Sequence, residues 1–220
     1  MTGWTEQHPA VLDQLDRFGE FHADGRRVSK VFRPVFGWMR RQMAERVEDA
    51  SGRPLIWLIV SADLDRRSVC DWRCAQRGRS LCGKMHISPG KVWLRVSIPA
   101  TRLLLSDFAW WGDRVLSYGY VPLDDADDAR WQRRVRRELG LPATVPIPWG
   151  LAGVSDERRR AAIANWPRIF DVDVTGERTV QATVEHLFVD DVVDKLQGPA
   201  IDDVPREYRH MFSTYLRAQG

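Results

Sequence analysis

The chain is predicted to form a single α+β domain, a curved, split mixed β-sheet with helices packed against it. Three stretches carry this prediction. Residues 55–60, Leu-Ile-Trp-Leu-Ile-Val, are a continuous apolar run rich in β-branched side chains, the pattern of a strand covered on both faces. Residues 91–98 alternate, with Val92, Leu94, Val96 and Ile98 against Trp93, Arg95 and Ser97, the period of a half-buried strand. Val35, Met39, Met43 and Val47 recur every four residues among arginines and glutamates, the apolar stripe of a helix.

Each element follows from its neighbours. Residues 4–7 read as a short strand, and a helix begins near Pro9, where a missing N–H costs nothing. Leu12, Leu15 and Phe18 line one face of it, and Gly19 stops it. The second helix starts at Pro34 and is broken by Ser51-Gly52-Arg53-Pro54; its methionines read as core filler in preference to a cofactor box. The run at 55–60 should sit centrally in the sheet. Residues 63–90 are polar, irregular and arginine-rich. After the strand at 91–98, residues 103–123 mix apolar runs with Phe108, Trp110, Trp111, Tyr118 and Tyr120, as one wall of a pocket would, with Ser106 capping a turn over 108–116. Asp124, Asp125, Asp127 and Asp128 precede a helix over 131–139 whose arginines lie towards its end, the arrangement that the helix dipole prefers. The spaced oxygens and terminal glutamate of a calcium loop are missing from that acidic group. A Pro- and Gly-rich connection spans 141–154, Ser155 opens a helix that Pro167 closes, and Trp166, Ile169 and Phe170 dock it on the core. Residues 178–188 form the last strand, and a terminal helix begins at Pro205.

Composition excludes several classes. At 220 residues, 44% apolar and 29% charged, the chain has material for one core and little for two. No apolar run is long enough to span a bilayer, and no basic-then-hydrophobic segment opens the sequence, so a cytoplasmic protein is expected. The odd set Cys70, Cys74 and Cys82 fits a reducing compartment. The 33 basic residues, nearly all arginine, are interleaved with 30 acids, which favours a mixed-charge surface over a nucleic-acid face. No phosphate loop, His-Glu-x-x-His helix or nucleophile elbow is present, which demotes nucleotide hydrolysis and serine hydrolysis.

Two constellations bear chemistry. On the last strand, alternation sets Val180, Ala182 and Val184 on one face and Gln181, Thr183 and Glu185 on the other. That polar row is either a solvated outer face or the floor of a cleft. In a cleft it would grip a sugar and stabilise a cationic transition state through its carboxylate. Cys70, Cys74, Cys82 and His86 offer four ligands of the types that zinc takes, at spacings unlike the usual short pairs; the other reading is a loop with reduced thiols.

Trp4-Thr5, Leu104-Leu105-Ser106-Asp107-Phe108 with Trp110 or Trp111, Val115-Leu116, Tyr120-x-Pro122-Leu123, Trp166-x-x-Ile169-Phe170-Asp171, and Val180-Gln181-Ala182-Thr183 with Glu185 and Val192 resemble the bacterial family catalogued as domain of unknown function 3841. The resemblance implies one domain over 1–220, a core at about 4–195 and an inserted loop at 68–90. More distantly, the element order and Glu185-x-Leu187-x-Val189-x-x-Val192 are similar to the ADP-ribosyltransferase-like enzymes. That similarity implies an ADP-ribosyltransferase-like fold and a transferase that uses NAD as co-substrate. Glu185 would be the catalytic acid, with Thr183 and Gln181 positioning the ribose. Trp4, Thr5 and Gln7 stand on the first strand where such enzymes usually carry Arg or His, and Trp4, Tyr118 or Tyr120 would stack on nicotinamide. The acceptor of ADP-ribose would be a small molecule, a protein or a nucleic acid. The alternative is a non-catalytic module that binds nucleic acid or a partner protein through a Trp- and Arg-rich surface.

Overall fold

In a computed structural model of the chain, residues 1–60, 69–71, 85–172, 179–198 and 200–203 are described. They fall into two units. The first comprises the described residues of Met1–Val28, Arg40–Leu103 and Ala182–Gly220, and the second those of Ser29–Met39 and Leu104–Gln181. Helices and antiparallel strand pairs are combined, as an α+β class requires.

In the first unit, strand β1 (Thr2–Gln7) leads into helix α1 (Ala10–Phe18). Pro9 stands at the N-cap of α1, and Gly19 ends it at φ 74°, a left-handed conformation that glycine adopts without a Cβ clash. The predicted face is shifted. Val11 and Leu15, four residues apart, are buried, whereas Phe18 is 64% exposed. Strand β2 (Glu20–His22) pairs with β9 (His186–Phe188) as a separate two-stranded ribbon. The main sheet of this unit runs β10 (Val192–Gln197), β6 (Val92–Ser97), β1, β3 (Ile56–Val60) and β8 (Val180–Val184) in that order. β3 is therefore flanked on both sides, as its apolar run demands, although Ile56 and Leu58 alone are fully buried in it. β6 keeps its alternation: Val92, Leu94, Val96 and Ile98 are almost wholly buried. Its other face is not bare, because Trp93 packs on Trp4 with ring centroids 6.4 Å apart. β1 pairs antiparallel with both neighbours, in register from Thr2↔Ser97 to Gln7↔Val92 with β6 and through Trp4↔Ile59 with β3. Within the stretch expected as an inserted loop, β4 (Val69–Asp71) and β5 (Met85–Ile87) form a short parallel ladder.

Helix α2 (Arg33–Arg46) begins in the second unit and ends in the first. Its stripe is core, with Val35, Met39 and Met43 at no more than 1% exposure and Val47 just beyond its end at 7%. The second unit holds β7 (Leu104–Asp107) and the first residues of β8, Val180 and Gln181. The predicted cap is displaced by one residue. Ser106 is buried in β7, and Asp107 caps the following turn by accepting from the Trp110 amide at 2.8 Å. That turn, α3 (Phe108–Trp110), widens into a π-helix over Trp111–Val115.

Helix α4 (Asp125–Leu139) is capped as the acidic group foretells: Asp124 accepts from the Asp127 amide at 2.6 Å, Asp125, Asp127 and Asp128 fill the first turn, and Arg136 and Arg137 the last. Asp124→Ala should cost about 1 kcal/mol, read as a lower urea midpoint at unchanged slope; an unchanged midpoint would contradict the capping role. Ser155 caps α5 (Asp156–Ala164). Trp131, Val135 and Ala162 meet Tyr120, Leu151 and Val154 in one core, and Trp166 and Ile169 dock as predicted. The strand expected over 178–188 is broken at Glu185 into β8 and β9. The terminal helix expected from Pro205 lies outside the described residues. No described helix is long and apolar enough to cross a membrane.

Candidate functional site

The polar row on β8 is neither a solvated face nor the floor of a cleft. Gln181, Thr183 and Glu185 are 3%, 0% and 4% exposed. Gln181 Nε2 donates to Ser106 Oγ at 3.0 Å, and Thr183 Oγ1 donates to the Met43 sulfur at 3.9 Å. Glu185 sits at the bend between β8 and β9. Its Oε2 accepts from the Ser51 amide at 2.9 Å and the Ser51 hydroxyl at 3.0 Å, and its Oε1 accepts from the Arg53 amide at 2.7 Å. Burial pushes the carboxyl up, but the hydrogen bonds from Ser51, Arg53 and Gly52 outweigh it and hold the group below the usual carboxylate range. Glu185 is thus an ionised anchor for the turn at 51–53, which hands α2 over to β3. The hollow beside it measures about 30 Å³, on the scale of one water molecule.

The expected cofactor contacts are dispersed. Trp4 is 1% exposed and occupied by Trp93. Thr5 is 2% exposed and accepts from Gln7 Nε2 at 2.7 Å. Tyr118 and Tyr120 belong to the second unit, where the Tyr118 hydroxyl donates to the Val31 carbonyl and the Tyr120 hydroxyl to Asp127, both at 2.8 Å. Cys70 and His86 occupy paired positions in the β4–β5 ladder, while Cys74 and Cys82 lie outside the described residues. Among the described residues no cluster of three or more His, Cys, Asp or Glu is arranged to hold a metal.

Only Gln7 of these residues lines a cavity of about 690 Å³ in the first unit. That cavity is walled by the end of β1, the first turns of α1, the segment from Phe21 to Arg27, and Lys91. Several of its polar groups are already engaged. Glu6 accepts from the Ser88 amide at 2.8 Å, His8 Nδ1 accepts from the Ala10 amide at 3.2 Å, and Asp24 grips Arg26 through Nε and Nη2, both at 3.0 Å. Arg27 and Lys91 are left without an ion pair to a described residue. Their charges are felt nearby: His8 is held below its ordinary value by burial, then by Lys91 and Arg27. Burial likewise lowers Lys91, Glu6 opposes that shift, and Arg27 adds to it. Positive charge crowded in this way is unfavourable, and an anion would relieve it. Sequence reasoning missed His8, Arg27 and Lys91. The available signal was Gln7-His8-Pro9 at a strand-to-helix junction, where helix amides and ligands often meet.

No curated protein and no solved structure matches the chain. A family model does match, over residues 2–193 of the 220, which takes in every segment of the quoted resemblance from Trp4 to Val192. The chain belongs to the family described as Domain of unknown function (DUF3841).

Proposed function

We propose that this protein binds a phosphate-bearing small molecule of nucleotide size in the cavity at the end of β1. The observation that carries this reading is the convergence of Arg27, Lys91 and His8 on a space of about 690 Å³, with no carboxylate of a described residue pairing either Arg27 or Lys91. A half-buried lysine in a concave wall attracts phosphate more strongly than one on an open surface, and the Arg27 guanidinium adds a bidentate donor beside it. NAD, the co-substrate implied by the resemblance to ADP-ribosyltransferase-like enzymes, is one compound of this class, and Gln7 lines the cavity. Transfer of ADP-ribose asks for more, namely a free acid beside the bound ribose. Glu185 lies outside this lining and is engaged by Ser51 and Arg53, so the reading is one of binding.

Thermal unfolding with NAD, ADP-ribose and inorganic pyrophosphate tests it. A ligand present at about 100 times its Kd adds about 2.7 kcal/mol, a rise in Tm of about 5 to 10 °C for a chain of this size. The Arg27→Ala/Lys91→Ala variant should lose that rise while its ligand-free Tm stays within a few degrees, since Arg27 is exposed and Lys91 half-buried. A rise of equal size in the variant, or no rise with any of the three compounds, would overturn the proposal.

A further inference from the structure

The second unit has a cavity of its own, about 330 Å³. The two described non-glycine residues with left-handed backbone both stand at it: Leu151 (φ 52°) in the lining, and Tyr118 (φ 58°) between the lining residues Ser117 and Gly119. Such conformations persist where the surroundings over-determine them, and they gather at ligand sites. Here the Tyr118 hydroxyl is tied to the Val31 carbonyl, the Gly119 amide to the Arg114 carbonyl at 2.6 Å, and the Gly150 amide to the Ser117 carbonyl at 3.1 Å. The two turns thereby fix Trp149, whose ring meets Tyr118 and Phe32 at 5.8 and 6.2 Å, each with planes 81° apart. Trp149 is 54% exposed, while the other tryptophans with described side chains are buried or half-buried.

The remaining walls narrow the choice of ligand. Tyr120 and Trp131 stack on each other at 4.3 Å, and Arg168 and Arg158 lie over these rings at 5.6 and 5.5 Å. Their faces are spent, and the indole of Trp149 is the stacking surface left. Gln132 gives its amide N–H to Asp128 at 2.8 Å, which leaves its Oε1 as an open acceptor, and the exposed carboxylate of Asp113 adds another. An exposed indole beside acceptors suits a flat ring that presents N–H groups along its edge.

We propose that this cavity binds a planar heterocycle bearing an exocyclic amino group, a nucleobase, stacked on Trp149 with its N–H edge towards Asp113 and Gln132. The site is independent of the anion-binding reading above, and uncharged nucleosides test it without engaging that cavity's cations. Guanosine, adenosine, cytidine and uridine are titrated separately, followed by saturation-transfer NMR and by tryptophan fluorescence, with folding of each variant checked by circular dichroism. The three amino-bearing nucleosides are expected to bind at least about tenfold more tightly than uridine, as a site built to accept N–H bonds discriminates. Trp149→Ala should weaken binding by about tenfold to a hundredfold, since stacking on an aromatic is worth about 1–3 kcal/mol per base. Trp149→Phe should restore part of the loss, and Asp113→Asn should erode the preference over uridine. Undiminished binding by Trp149→Ala, equal affinity for uridine, or no binding of any nucleoside would overturn the proposal.

Discussion

Glu185→Ala is expected to destabilise the protein by about 3 kcal/mol, the upper end of the cost of leaving hydrogen-bond donors without their acceptor. The reason is local. The carboxylate is 4% exposed and takes donors from the Ser51 amide, the Ser51 hydroxyl and the Arg53 amide. Alanine would leave those donors without the acceptor that the buried carboxylate supplies. Glu185→Gln should cost less, about 2 kcal/mol, because its carbonyl still accepts while its amide meets an N–H instead of complementing it. The pH dependence follows from the lowered carboxyl. Its folded-state value lies below the ordinary 4.5, so its contribution is complete above that value and is lost as pH falls through the folded one. Urea unfolding at pH 7 and again at successively lower pH should show wild-type stability falling faster than that of Glu185→Gln. A catalytic Glu185 predicts another pattern, activity removed with stability kept or raised. A loss under about 1 kcal/mol, or parallel pH curves, would remove the anchoring role.

What the sequence disclosed, and what it hid, divides along a physical line. Periodicity found β6 and the α2 stripe, because burial of one face leaves its period in the residues nearby. Local chemistry likewise found the Asp124 cap and the Gly19 stop, since cap and helix are neighbours in the chain. The polar row on β8 failed for the opposite reason. Alternation says that Gln181 and Thr183 share a face, but not whether that face is covered. Their partners, Ser106 and Met43, lie 75 and 140 residues away. Glu185, the catalytic acid that the resemblance implies, is engaged by Ser51, 134 residues distant, a partner that alternation cannot disclose. The tryptophans misled similarly. Residues 103–123 do supply part of a cavity wall, through Asp113, Arg114, Ser117, Gly119 and Tyr120, but Trp111 is buried in the packing, as are Trp4, Trp38, Trp93, Trp131 and Trp166. The two cavities left fainter traces still. Arg27 and Lys91 meet only because β1 brings its flanking segments together, and the left-handed turns at Tyr118 and Leu151 use residues that carry no turn signal.

Trp166→Ala should be the most damaging change in the second unit, at about 3–5 kcal/mol, the range for deleting a large buried ring. Trp166 is 2% exposed, and its ring meets Trp38 edge-on at 5.3 Å and Tyr118 at 6.0 Å. Its indole N–H also donates to the Gly119 carbonyl at 2.8 Å. Trp166→Phe keeps most of the volume and gives up that bond, so a loss of about 1–2 kcal/mol is expected from the unsatisfied carbonyl and the smaller ring. The bond has a second consequence. Gly119 follows the strained Tyr118, and Trp166 holds both by ring contact and hydrogen bond. Loosening that grip should let Tyr118 relax and free Trp149 from its fixed orientation. Trp166→Phe, measured well below its melting temperature, should therefore weaken nucleoside binding although Trp166 does not line the cavity. Full affinity in a destabilised Trp166→Phe protein would show that the strained turn does not hold the stacking surface in place.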